Sequence, residues 1–514
     1  MIESNGLYFK TSTELEKIIV DLTCDDKGEF KRRDFVKPLL DFCTNQYYGD
    51  KVGLVFGQRY TGKTVGMLQA AKELMKLGHE VAYASFKPQE ASMAQVTKEI
   101  EDLREKGITH FFVDEAQNLS LFLTRVPNWS DYIVPALLTK IVISGADSFL
   151  LWYTKIMFLM HRHVLFETSF MSFPEYKRLT GKPYASYKMT GGIFPSIKHD
   201  DYIRVSLVEN LERMLLHCQE AHWTNIYADV LLGIERDELC KSITYILKLL
   251  AKDLITARFL ERHGLNSVLC FTLLEKQRII NLVANDIAIN PRLSILPTYA
   301  AEMLLEVLVK TGFLKERTVS SSIWGAPFTG FVICQNAIMS CVIDEVLKDI
   351  EKAGYPCQDE MQKAIRDATD SAANESIIVN HVIHNAKDED KIFKCWRNYK
   401  PKVDVVVISS AQNTLKLIDV SDSANPDVAA SQAKWMLADH SLDDLAPSGP
   451  GLMLTDHSIV ELAPGGLSVH HCIVVYKGES VVVPIGGKSL YLINIEEYLE
   501  QYQVLDSFLS QLSS

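Results

Sequence analysis

The sequence predicts an α/β fold, with a parallel sheet covered by helices in its first part, a helical middle part and a second α/β part. Short apolar runs alternate with helical stretches between residues 51 and 168, a pattern typical of a parallel sheet with helices on both faces. A glycine-rich loop separates the first run from the first helix. The 514 residues have the length of about two to four domains, and we divide them into residues 1–181, 182–330 and 331–514.

The glycine-rich loop fits the pattern Gly-x-x-x-x-Gly-Lys-Ser/Thr in full. It follows an apolar run at residues 51–56 and precedes a helix predicted for residues 64–77, which is the strand–loop–helix context of the phosphate-binding loop in P-loop NTPases. Backbone N–H groups of such a loop and of the helix N-terminus point at a polyphosphate. A glycine turn before a helix that happens to contain a lysine is the alternative interpretation.

This loop predicts a binding site for ATP and Mg²⁺. Lys63 is expected to contact the β- and γ-phosphates, and the hydroxyl of Thr64 is expected to bind Mg²⁺. No Asn/Thr-Lys-x-Asp motif that would read guanine is evident. The predicted nucleotide-binding residues are Gly57, Gln58, Arg59, Tyr60, Thr61, Gly62, Lys63, Thr64 and Val65.

Two neighbouring strands are predicted to end in polar side chains. The strand within residues 107–115 ends in Asp114, expected to hold Mg²⁺ directly or through water, and Glu115, expected to orient and deprotonate the attacking water. A strand that merely meets a polar loop would give the same pair of acids. The strand at residues 140–144 ends in Ser144, our candidate sensor of the γ-phosphate, although a serine in a tight turn is equally compatible.

The other elements of the first part follow from their hydrophobic patterns. Strands are predicted at residues 80–86 and 163–168, and a helix at residues 91–106. Residues 125–131 are polar, and we expect a loop-like insert there. Residues 1–50 are predicted to form a helical lead-in.

From residue 182 to about residue 330 the pattern becomes helical. A short apolar run at residues 312–315 follows the last two helices, and two helices with a strand pair predict a winged-helix-like unit. Helix–turn–helix units can read DNA, but no candidate recognition helix is basic, so a protein-docking or structural role is equally compatible. The helices are predicted at residues 201–217, 224–232, 239–250, 257–263, 268–285 and 298–311.

Residues 331–514 mix helices and strands. Two long helical patterns come first, and strands with alternating polarity follow. The helices are predicted at residues 336–353 and 361–386, one hairpin at residues 403–408 and 414–420, and another hairpin at residues 471–476 and 480–484.

The composition limits the functions and the cellular locations that are compatible with the chain. A formal net charge of −12 argues against a nucleic-acid footprint over the whole molecule, although one basic groove is compatible with it. Ten cysteines without a Cys-x-x-Cys pair predict scattered thiols in a reducing compartment. No signal peptide is visible, and the most apolar window, residues 148–160, is too short to span a bilayer. We therefore expect a cytoplasmic protein without a membrane partner.

Three further motifs follow the loop and the acid pair in a defined order. With them, the chain resembles predicted AAA-type ATPases of archaea and bacteria that carry a helical, winged-helix middle and a C-terminal restriction-endonuclease-like domain. The resemblance covers most of the chain and implies ATP as the nucleotide. The motifs are Ile143-Ser144-Gly145-Ala146-Asp147-Ser148-Phe149-Leu150, Phe170-Met171-Ser172-Phe173-Pro174-Glu175-Tyr176 and Tyr187-Lys188-Met189-Thr190-Gly191-Gly192-Ile193-Phe194-Pro195.

The chain departs from that family's pattern at three places. Gln58 stands where the family has a proline and Val65 where it has a second threonine, and neither change removes a group that Mg·ATP needs. His161-Arg162-His163 stands where the family has Gly-Arg. Arg162 is therefore expected either to reach a phosphate as an arginine finger, in cis or across a subunit contact, or to lie on the surface at a helix end.

The C-terminal part resembles the PD-(D/E)xK nuclease unit of the same family, in which two carboxylates bind Mg²⁺ and a lysine positions or deprotonates water. The matching acids are Glu375 on a helix, Asp404 on a strand and Asp419 on the next strand, while Ser421 replaces the lysine. These acids could form a second metal site, or be polar residues at a sheet edge. We favour a domain that keeps the fold and has lost or weakened cleavage.

Three functions are compatible with the sequence. The leading one is an ATP-binding and ATP-hydrolysing protein whose nucleotide state is coupled through the helical middle to the C-terminal part. The second is an ATP-regulated, metal-dependent nuclease acting on DNA or RNA. The third is a non-catalytic interaction scaffold that binds ATP for stability alone. A nucleic acid or a protein would be the partner of the C-terminal part, and a homo-oligomer is compatible with the sequence.

Overall fold

The computed structural model of the chain contains two large sheets with helices packed on them. The first sheet has six strands, the second has eight, and a ribbon of two short strands is separate from both. The described residues are 7–25, 28–57, 61–87, 90–145, 159, 162–168, 170–193, 236–262, 273, 275–286, 297–310, 312–321, 328–335, 337–352, 359–387, 390–397, 400–409, 414–433, 468–485 and 488–512.

The first part folds around the six-stranded sheet. Its strands and those of the ribbon are β1 (Lys10–Thr11), β2 (Cys24–Asp25), β3 (Gly28–Glu29), β4 (Val52–Phe56), β5 (Val81–Ser85), β6 (His110–Asp114), β7 (Lys140–Ser144) and β8 (His163–Glu167). The order in the sheet is β1-β5-β6-β7-β4-β8, and only β1 is antiparallel to its neighbour. The five strands predicted for this part are confirmed, and β2 and β3 form the ribbon.

The strand order determines which loops meet. β4 pairs with β7 and β8, and β7 pairs with β6, so the chain crosses over two strands between β4 and β5. Parallel strands end at the same edge of a sheet, and ligands of open α/β sheets bind at such a crossover point. The loops after β4, β6 and β7 therefore lie side by side.

Helices cover both faces of this sheet. Phe111 and Val113 of β6 belong to one buried apolar cluster, whereas Phe112 between them belongs to another. This alternation is expected for a strand buried on both sides. The helices of the first part are α1 (Ser12–Thr23), α2 (Val36–Thr44), α3 (Lys63–Lys76), α4 (Met93–Glu105), α5 (Phe122–Asn128), α6 (Val134–Leu137), α7 (Phe173–Thr180) and α8 (Tyr184–Thr190).

The prediction of a loop-like insert at residues 125–131 is wrong. α5 covers the first of these residues, and a π-helical turn at Trp129–Ile133 covers the rest. Phe122, Val126 and Trp129 recur at helical spacing and are fully buried. This apolar stripe determines the structure despite the polar residues between its members.

The middle part is helical, as predicted, but two of the predicted helices are one. Residues 239–250 and 257–263 fall almost entirely in α9 (Arg236–Arg262), a helix of 27 residues, which is followed by α10 (Lys276–Asp286) and α11 (Pro297–Lys310). Asp253, which lies in the gap between the two predicted helices, is buried and ion-paired with Arg278 of α10. The helices predicted at residues 201–217 and 224–232 lie outside the described residues.

The second sheet joins the end of the middle part to the C-terminal part. Its strands are β9 (Leu314–Ser321), β10 (Phe328–Ile333), β11 (Asp390–Arg397), β12 (Lys400–Ser409), β13 (Thr414–Val420), β14 (Ser468–Tyr476), β15 (Val481–Ile485) and β16 (Lys488–Asn494). They lie in the order β10-β9-β11-β12-β13-β14-β16-β15. The predicted strand pair after α11 is thus β9 and β10, and it extends the C-terminal sheet. The boundary placed at residue 330 falls inside β10.

One of the two C-terminal hairpins is confirmed. β12 and β13 pair antiparallel. The hairpin predicted from residues 471–476 and 480–484 is wrong, because β16 lies between β14 and β15 and pairs with both. β16, which was not predicted from the sequence, occupies the position next to β14. The remaining helices are α12 (Ala337–Cys341), α13 (Ile343–Lys352), α14 (Asp359–Asn385), α15 (Pro426–Ala433), α16 (Ile495–Gln501) and α17 (Leu505–Leu512).

α7 and α8 connect the two sheets. Phe173 and Tyr176 of α7 and Tyr184 of α8 lie in one apolar cluster with residues of α14, β13 and α16. Along the chain these two helices come after β8, the last strand of the first sheet. Their aromatic side chains pack on the C-terminal part. None of the helices in the described ranges is both long and apolar enough to cross a membrane.

Candidate nucleotide-binding site

The phosphate loop leaves β4 at Gly57 and ends where α3 begins. Gly57 has a φ of 152° and Gly62 a φ of 81°, conformations that favour glycine because a Cβ atom would clash with the backbone. A Cβ atom on Gly57 would also lie 2.2 Å from Thr168 Oγ1. Both glycines of the motif are therefore needed for the path of the loop. Gln58, Arg59 and Tyr60 lie outside the described residues.

Lys63, the first residue of α3, has its ammonium group inside the loop. Its Nζ donates to the carbonyl oxygen of Gly57 at 2.8 Å, and the side chain is buried. Burying an ammonium group is costly unless acceptors surround it. The loop thus holds the lysine at the place where it is predicted to meet phosphate oxygens.

The loop is supported from behind by Arg33. Its Nη1 donates to the carbonyl oxygen of Thr61, and its Nε and Nη2 donate to the two carboxylate oxygens of Glu175 on α7 at 2.6 and 2.9 Å. Thr61 Oγ1 also lies 2.8 Å from Thr168 Oγ1. Arg33 and Glu175 are both buried, so a bidentate ion pair links the loop to α7.

Asp114 is the centre of the hydrogen bonds at this edge of the sheet. Its Oδ2 accepts from Thr64 Oγ1 at 2.6 Å and from the Tyr83 hydroxyl at 3.1 Å. Its Oδ1 accepts from the Ser144 hydroxyl and from the Glu115 amide at 3.0 Å. Four donors, from α3, β5, β7 and the residue after β6, therefore fix a carboxylate that is almost fully buried. Burial, followed by the charge of Asp114, raises the pKa of Tyr83, so Tyr83 remains a neutral donor.

Glu115 follows directly and has a strained backbone. Its φ is 53°, in the left-handed region that residues other than glycine rarely occupy and that is often found at functional sites. One carboxylate oxygen accepts from Gln117 Nε2. The side chain is partly exposed, so a water molecule can approach it.

Arg162 lies away from the phosphate loop of its own chain. It precedes β8, and β8 runs parallel to β4 with His163 opposite Val52, so Arg162 lies at the edge of the sheet where β4 begins. The loop follows the other end of β4. Arg162 is half-exposed and forms an ion pair with Asp131. The prediction of an arginine finger in cis is therefore wrong, and a contribution across a subunit contact stays a prediction.

The residues present fit Mg·ATP. The Thr64 hydroxyl and the Asp114 carboxylate, 2.6 Å apart, are oxygen ligands of the kind that Mg²⁺ prefers. Lys63 and the N-terminus of α3 supply positive charge for the phosphates. Mg²⁺, when bound, neutralises charge on the β- and γ-phosphates.

A family model described as an AAA domain matches residues 49–177. This region runs from the residues just before β4 into α7, and it includes the loop, Asp114, Glu115 and Ser144. The chain carries an AAA-type ATPase domain. Nucleotide binding, usually with Mg²⁺, is the property that this AAA domain implies.

Solved structures give a weak likeness. C. elegans PCH-2 is 12% identical, with 60% of this chain and 77% of that chain covered and a TM-score of 0.25. The Aeropyrum pernix ORC1 protein in complex with DNA is 13% identical, with 68% and 100% covered and a TM-score of 0.23. A DNA replication initiation factor is 16% identical, with 52% and 80% covered and a TM-score of 0.21. At these TM-scores the likeness carries no argument about function. No curated protein matches the chain.

In the C-terminal part, Glu375 and Asp404 meet in the interior, but two cations lie against both of them. Arg258 Nη1 of α9 is 3.6 Å from Glu375 Oε2 and 3.4 Å from Asp404 Oδ1. Lys394 Nζ of β11 is 2.8 Å from Glu375 Oε1 and 3.6 Å from Asp404 Oδ1. A lysine therefore does stand beside the acids, although the sequence pattern indicated that it was lost.

A third cation and a third acid complete what we call the ion cluster. Arg317 Nη1 of β9 is 3.0 Å from Glu375 Oε1, and Glu261 Oε2 of α9 is 3.2 Å from Arg258 Nη1. Burial disfavours the charge of Arg258, but the carboxylates of Asp404, Glu375 and Glu261 outweigh burial and raise its pKa. The ion cluster comprises Arg258, Glu261, Arg317, Glu375, Lys394 and Asp404, all less than one tenth exposed.

Asp419 does not join the other two acids. Leu417 belongs to the apolar cluster on one face of β13, whereas Ile418 and Val420 belong to the cluster that includes α14. Alternation along the strand therefore places Asp419 on the face opposite α14 and Glu375. Within the described ranges, no three His, Cys, Asp or Glu side chains are placed to hold a metal ion. The predicted second metal site is not formed, because cations neutralise two of its acids and the third faces away.

Several of these residues were not identified from the sequence. Arg33 and Arg258 carry no local signal, because their partners Glu175 and Asp404 lie 142 and 146 residues away along the chain. Lys394 does carry a signal: it stands inside an apolar strand, and a lysine in that position is almost never buried unless it is paired. That pattern indicates an acidic partner without saying which one.

Proposed function

We propose that the chain binds Mg·ATP at the phosphate loop and hydrolyses it to ADP and phosphate. The observation that carries the proposal is the placement of Asp114, which is hydrogen-bonded both to Thr64 of α3 and to Ser144 of β7. In this proposal Lys63 binds the β- and γ-phosphates, and Thr64 and Asp114 hold Mg²⁺. Ser144 responds to the γ-phosphate through its contact with Asp114.

Glu115 is proposed as the general base. The oxygen of a water molecule bonds to the γ-phosphorus while the bond to the bridging oxygen breaks, and Glu115 takes the proton of the water. Its position next to Asp114 and its partial exposure support this role. Transfer of a proton to a positioned base contributes about 10²–10⁴-fold to a rate.

Two variants test this proposal. Lys63→Ala is expected to abolish nucleotide binding in titration calorimetry, because the ammonium group is the principal positive charge in the described part of the loop. Glu115→Gln is expected to bind ATP with near wild-type affinity and to retain it without turnover. Wild-type turnover in Glu115→Gln would contradict the choice of base. A purified wild-type protein that binds ATP and never hydrolyses it would favour the scaffold function instead.

We further propose that the nucleotide state reaches the C-terminal part through α7 and α8. Glu175 of α7 is paired with Arg33 behind the phosphate loop, and Lys177 of the same helix contacts Glu500 of α16. The buried hydroxyl of Tyr184 on α8 donates to Asn374 Oδ1 of α14 at 3.0 Å. A change in the loop would therefore be transmitted to α14 and α16 through packed helices.

Hydrogen exchange measures this coupling. Addition of ATP to Glu115→Gln is expected to change the exchange of α14 and α16, and addition to Lys63→Ala is expected to leave it unchanged. If ATP is bound by Glu115→Gln and the exchange of both helices stays constant, the coupling is refuted while the ATPase proposal is unaffected.

The C-terminal part is proposed to bind a nucleic acid or a protein without cleaving it. The ion cluster supports this, since three acids and three cations neutralise one another in the interior. A nuclease assay on DNA and RNA with Mg²⁺ and Mn²⁺ is expected to show no cleavage. Cleavage that is lost in Asp404→Ala would instead support the ATP-regulated nuclease. Capture of partners from cells with Glu115→Gln, and the mass of the protein in solution, would identify the partner and any homo-oligomer.

A further inference from the structure

Gln117 has an unusual position in the turn after Glu115. It lies in a 3₁₀ turn at Ala116–Asn118, and its side chain is completely buried. Its Nε2 donates to Glu115 Oε2, whereas its Oε1 has no hydrogen-bond partner among the described residues. Buried polar atoms are nearly always paired, and an exception in a native protein needs an explanation. A glutamine that leaves half of its amide unpaired is a poor choice for stability alone.

Asp114 and Glu115, the two acids at the end of β6, differ in the number of hydrogen bonds that orient their carboxylates. Asp114 accepts from four donors, and its orientation is fixed by the sheet. Within the part of the chain that the structure describes, the carboxylate of Glu115 accepts from one donor, Gln117. The backbone of Glu115 is fixed separately, because the amide of Asn118 donates to the Glu115 carbonyl at 2.9 Å and Asn118 Nδ2 donates to the Phe86 carbonyl at 2.7 Å. Gln117 is thus left to determine where the carboxylate of Glu115 points.

We propose that Gln117 is a positioning residue for Glu115, a proposal that rests on the role of Glu115 as general base. An amide donor binds one carboxylate oxygen and leaves the other available to take a proton from water. The amide itself does not titrate, so it orients the base without adding a charge to the site.

Gln117→Leu separates positioning from stability, because leucine has a similar size and carries no polar atom. We expect kcat for ATP hydrolysis to fall about tenfold or more with KM unchanged, since a small misplacement of a reacting group has effects of that order. The thermal midpoint is expected to stay the same or rise, because the unpaired Oε1 is removed together with the donor. A purely structural glutamine would give a lower midpoint and little change in kcat.

Gln117→Glu is the second variant and keeps the shape of the side chain. A carboxylate at position 117 cannot donate to Glu115 and repels it, so kcat is expected to fall about tenfold or more with KM unchanged. Asn118→Ala is the matched control: it removes the bond to the Phe86 carbonyl from the same turn, and we expect a lower thermal midpoint with kcat lost only in proportion to the loss of folded protein.

Each outcome has a defined meaning. Wild-type kcat in Gln117→Leu, or loss of kcat only in proportion to loss of folded protein, overturns the role of Gln117. If Gln117→Leu does not fold, a wild-type kcat in Gln117→Glu overturns it. Glu115→Gln distinguishes the two proposals: if that variant turns over ATP normally, the base is wrong, and if it does not while Gln117→Leu does, only the positioning role is wrong.

Discussion

At the scale of single residues, the site depends on one buried carboxylate with more donors than acceptor atoms. Asp114 is fixed by hydroxyls from Thr64, Tyr83 and Ser144. Several hydrogen bonds that converge on one carboxylate restrict its rotation, so this arrangement holds the side chain immobile. An immobile ligand needs no rearrangement when Mg·ATP arrives, which is the benefit of a preorganised site.

Ser144→Ala tests the contribution of one of these donors. Loss of a hydrogen bond to a charged group is worth about 1.5–3 kcal/mol, which corresponds to a decrease in kcat/KM of about ten- to a hundredfold. Steady-state ATP hydrolysis measures this effect. Ser144→Thr retains the hydroxyl and serves as the control. Equal activity in Ser144→Ala and the wild type would show that Ser144 is only the last residue of β7 and contributes nothing to hydrolysis.

A second residue-scale prediction concerns pH and His110 at the start of β6. Burial lowers the pKa of His110 from 6.5 to about 4. Between these values the unfolded chain binds a proton and the folded chain does not, so the free energy of unfolding decreases as the pH falls from about 6.5 to about 4. The loss at pH 4 is about 3 kcal/mol. Urea midpoints of the wild type and His110→Gln across this range should show a weaker pH dependence in the variant, and identical dependences would contradict the assignment.

At the scale of elements, α7 is held by a buried ion pair that also touches the phosphate loop. Arg33→Ala would leave the Glu175 carboxylate buried without its cation, a change that costs about 3–5 kcal/mol. We expect a lower urea midpoint for the first part of the chain. Arg32→Ala is the neighbouring control, because Arg32 is an exposed partner of Glu73 and exposed pairs contribute about 0–1 kcal/mol. Similar midpoints for the two variants would refute a special role of Arg33.

The elements differ in how far the sequence predicts them. β4, the loop and α3 are contiguous, so their pattern contains all the information that places Lys63 and Thr64. The pairing of β12 with β13 is equally local, because the two strands are consecutive along the chain. β16 was not predicted, and β14 and β15 were therefore paired with each other wrongly. The neighbours of β16 depend on how the whole sheet packs, and no local pattern indicates them. The single helix α9 was predicted as two helices. Asp253, in the gap between them, is buried because it pairs with Arg278 of α10, a partner that no local pattern indicates.

At the scale of the whole molecule, the ion cluster joins the middle helix α9 to the C-terminal sheet. Its members come from α9, β9, α14, β11 and β12. Such a convergence of distant segments has no pattern in the sequence, so the acids were predicted as metal ligands and their cations were not identified. Each buried charge of the cluster needs a neighbouring charge of opposite sign. Removal of one cation therefore leaves the cluster with an excess of negative charge.

Arg258→Met tests whether the cluster binds α9 to the sheet. We expect destabilisation by about 3–5 kcal/mol because Asp404 and Glu375 lose a shared cation, measured as a lower urea midpoint of the C-terminal part. Arg262→Ala lies one turn further along α9, where Arg262 pairs with the less buried Asp422, and a change of about 1 kcal/mol or less is expected. An Arg258→Met protein as stable as the wild type would show that the cluster contributes nothing to the attachment of α9.

The segment before residue 49 has a practical consequence for anyone who wishes to isolate the ATPase. The matched AAA region starts at residue 49, yet β1 covers the edge of β5, and Phe42 of α2 packs where a Cβ atom on Gly53 would lie only 2.9 Å away. A fragment trimmed to the matched region would expose this apolar surface and an open sheet edge, both of which promote aggregation. A soluble fragment should therefore retain the residues from β1 onward.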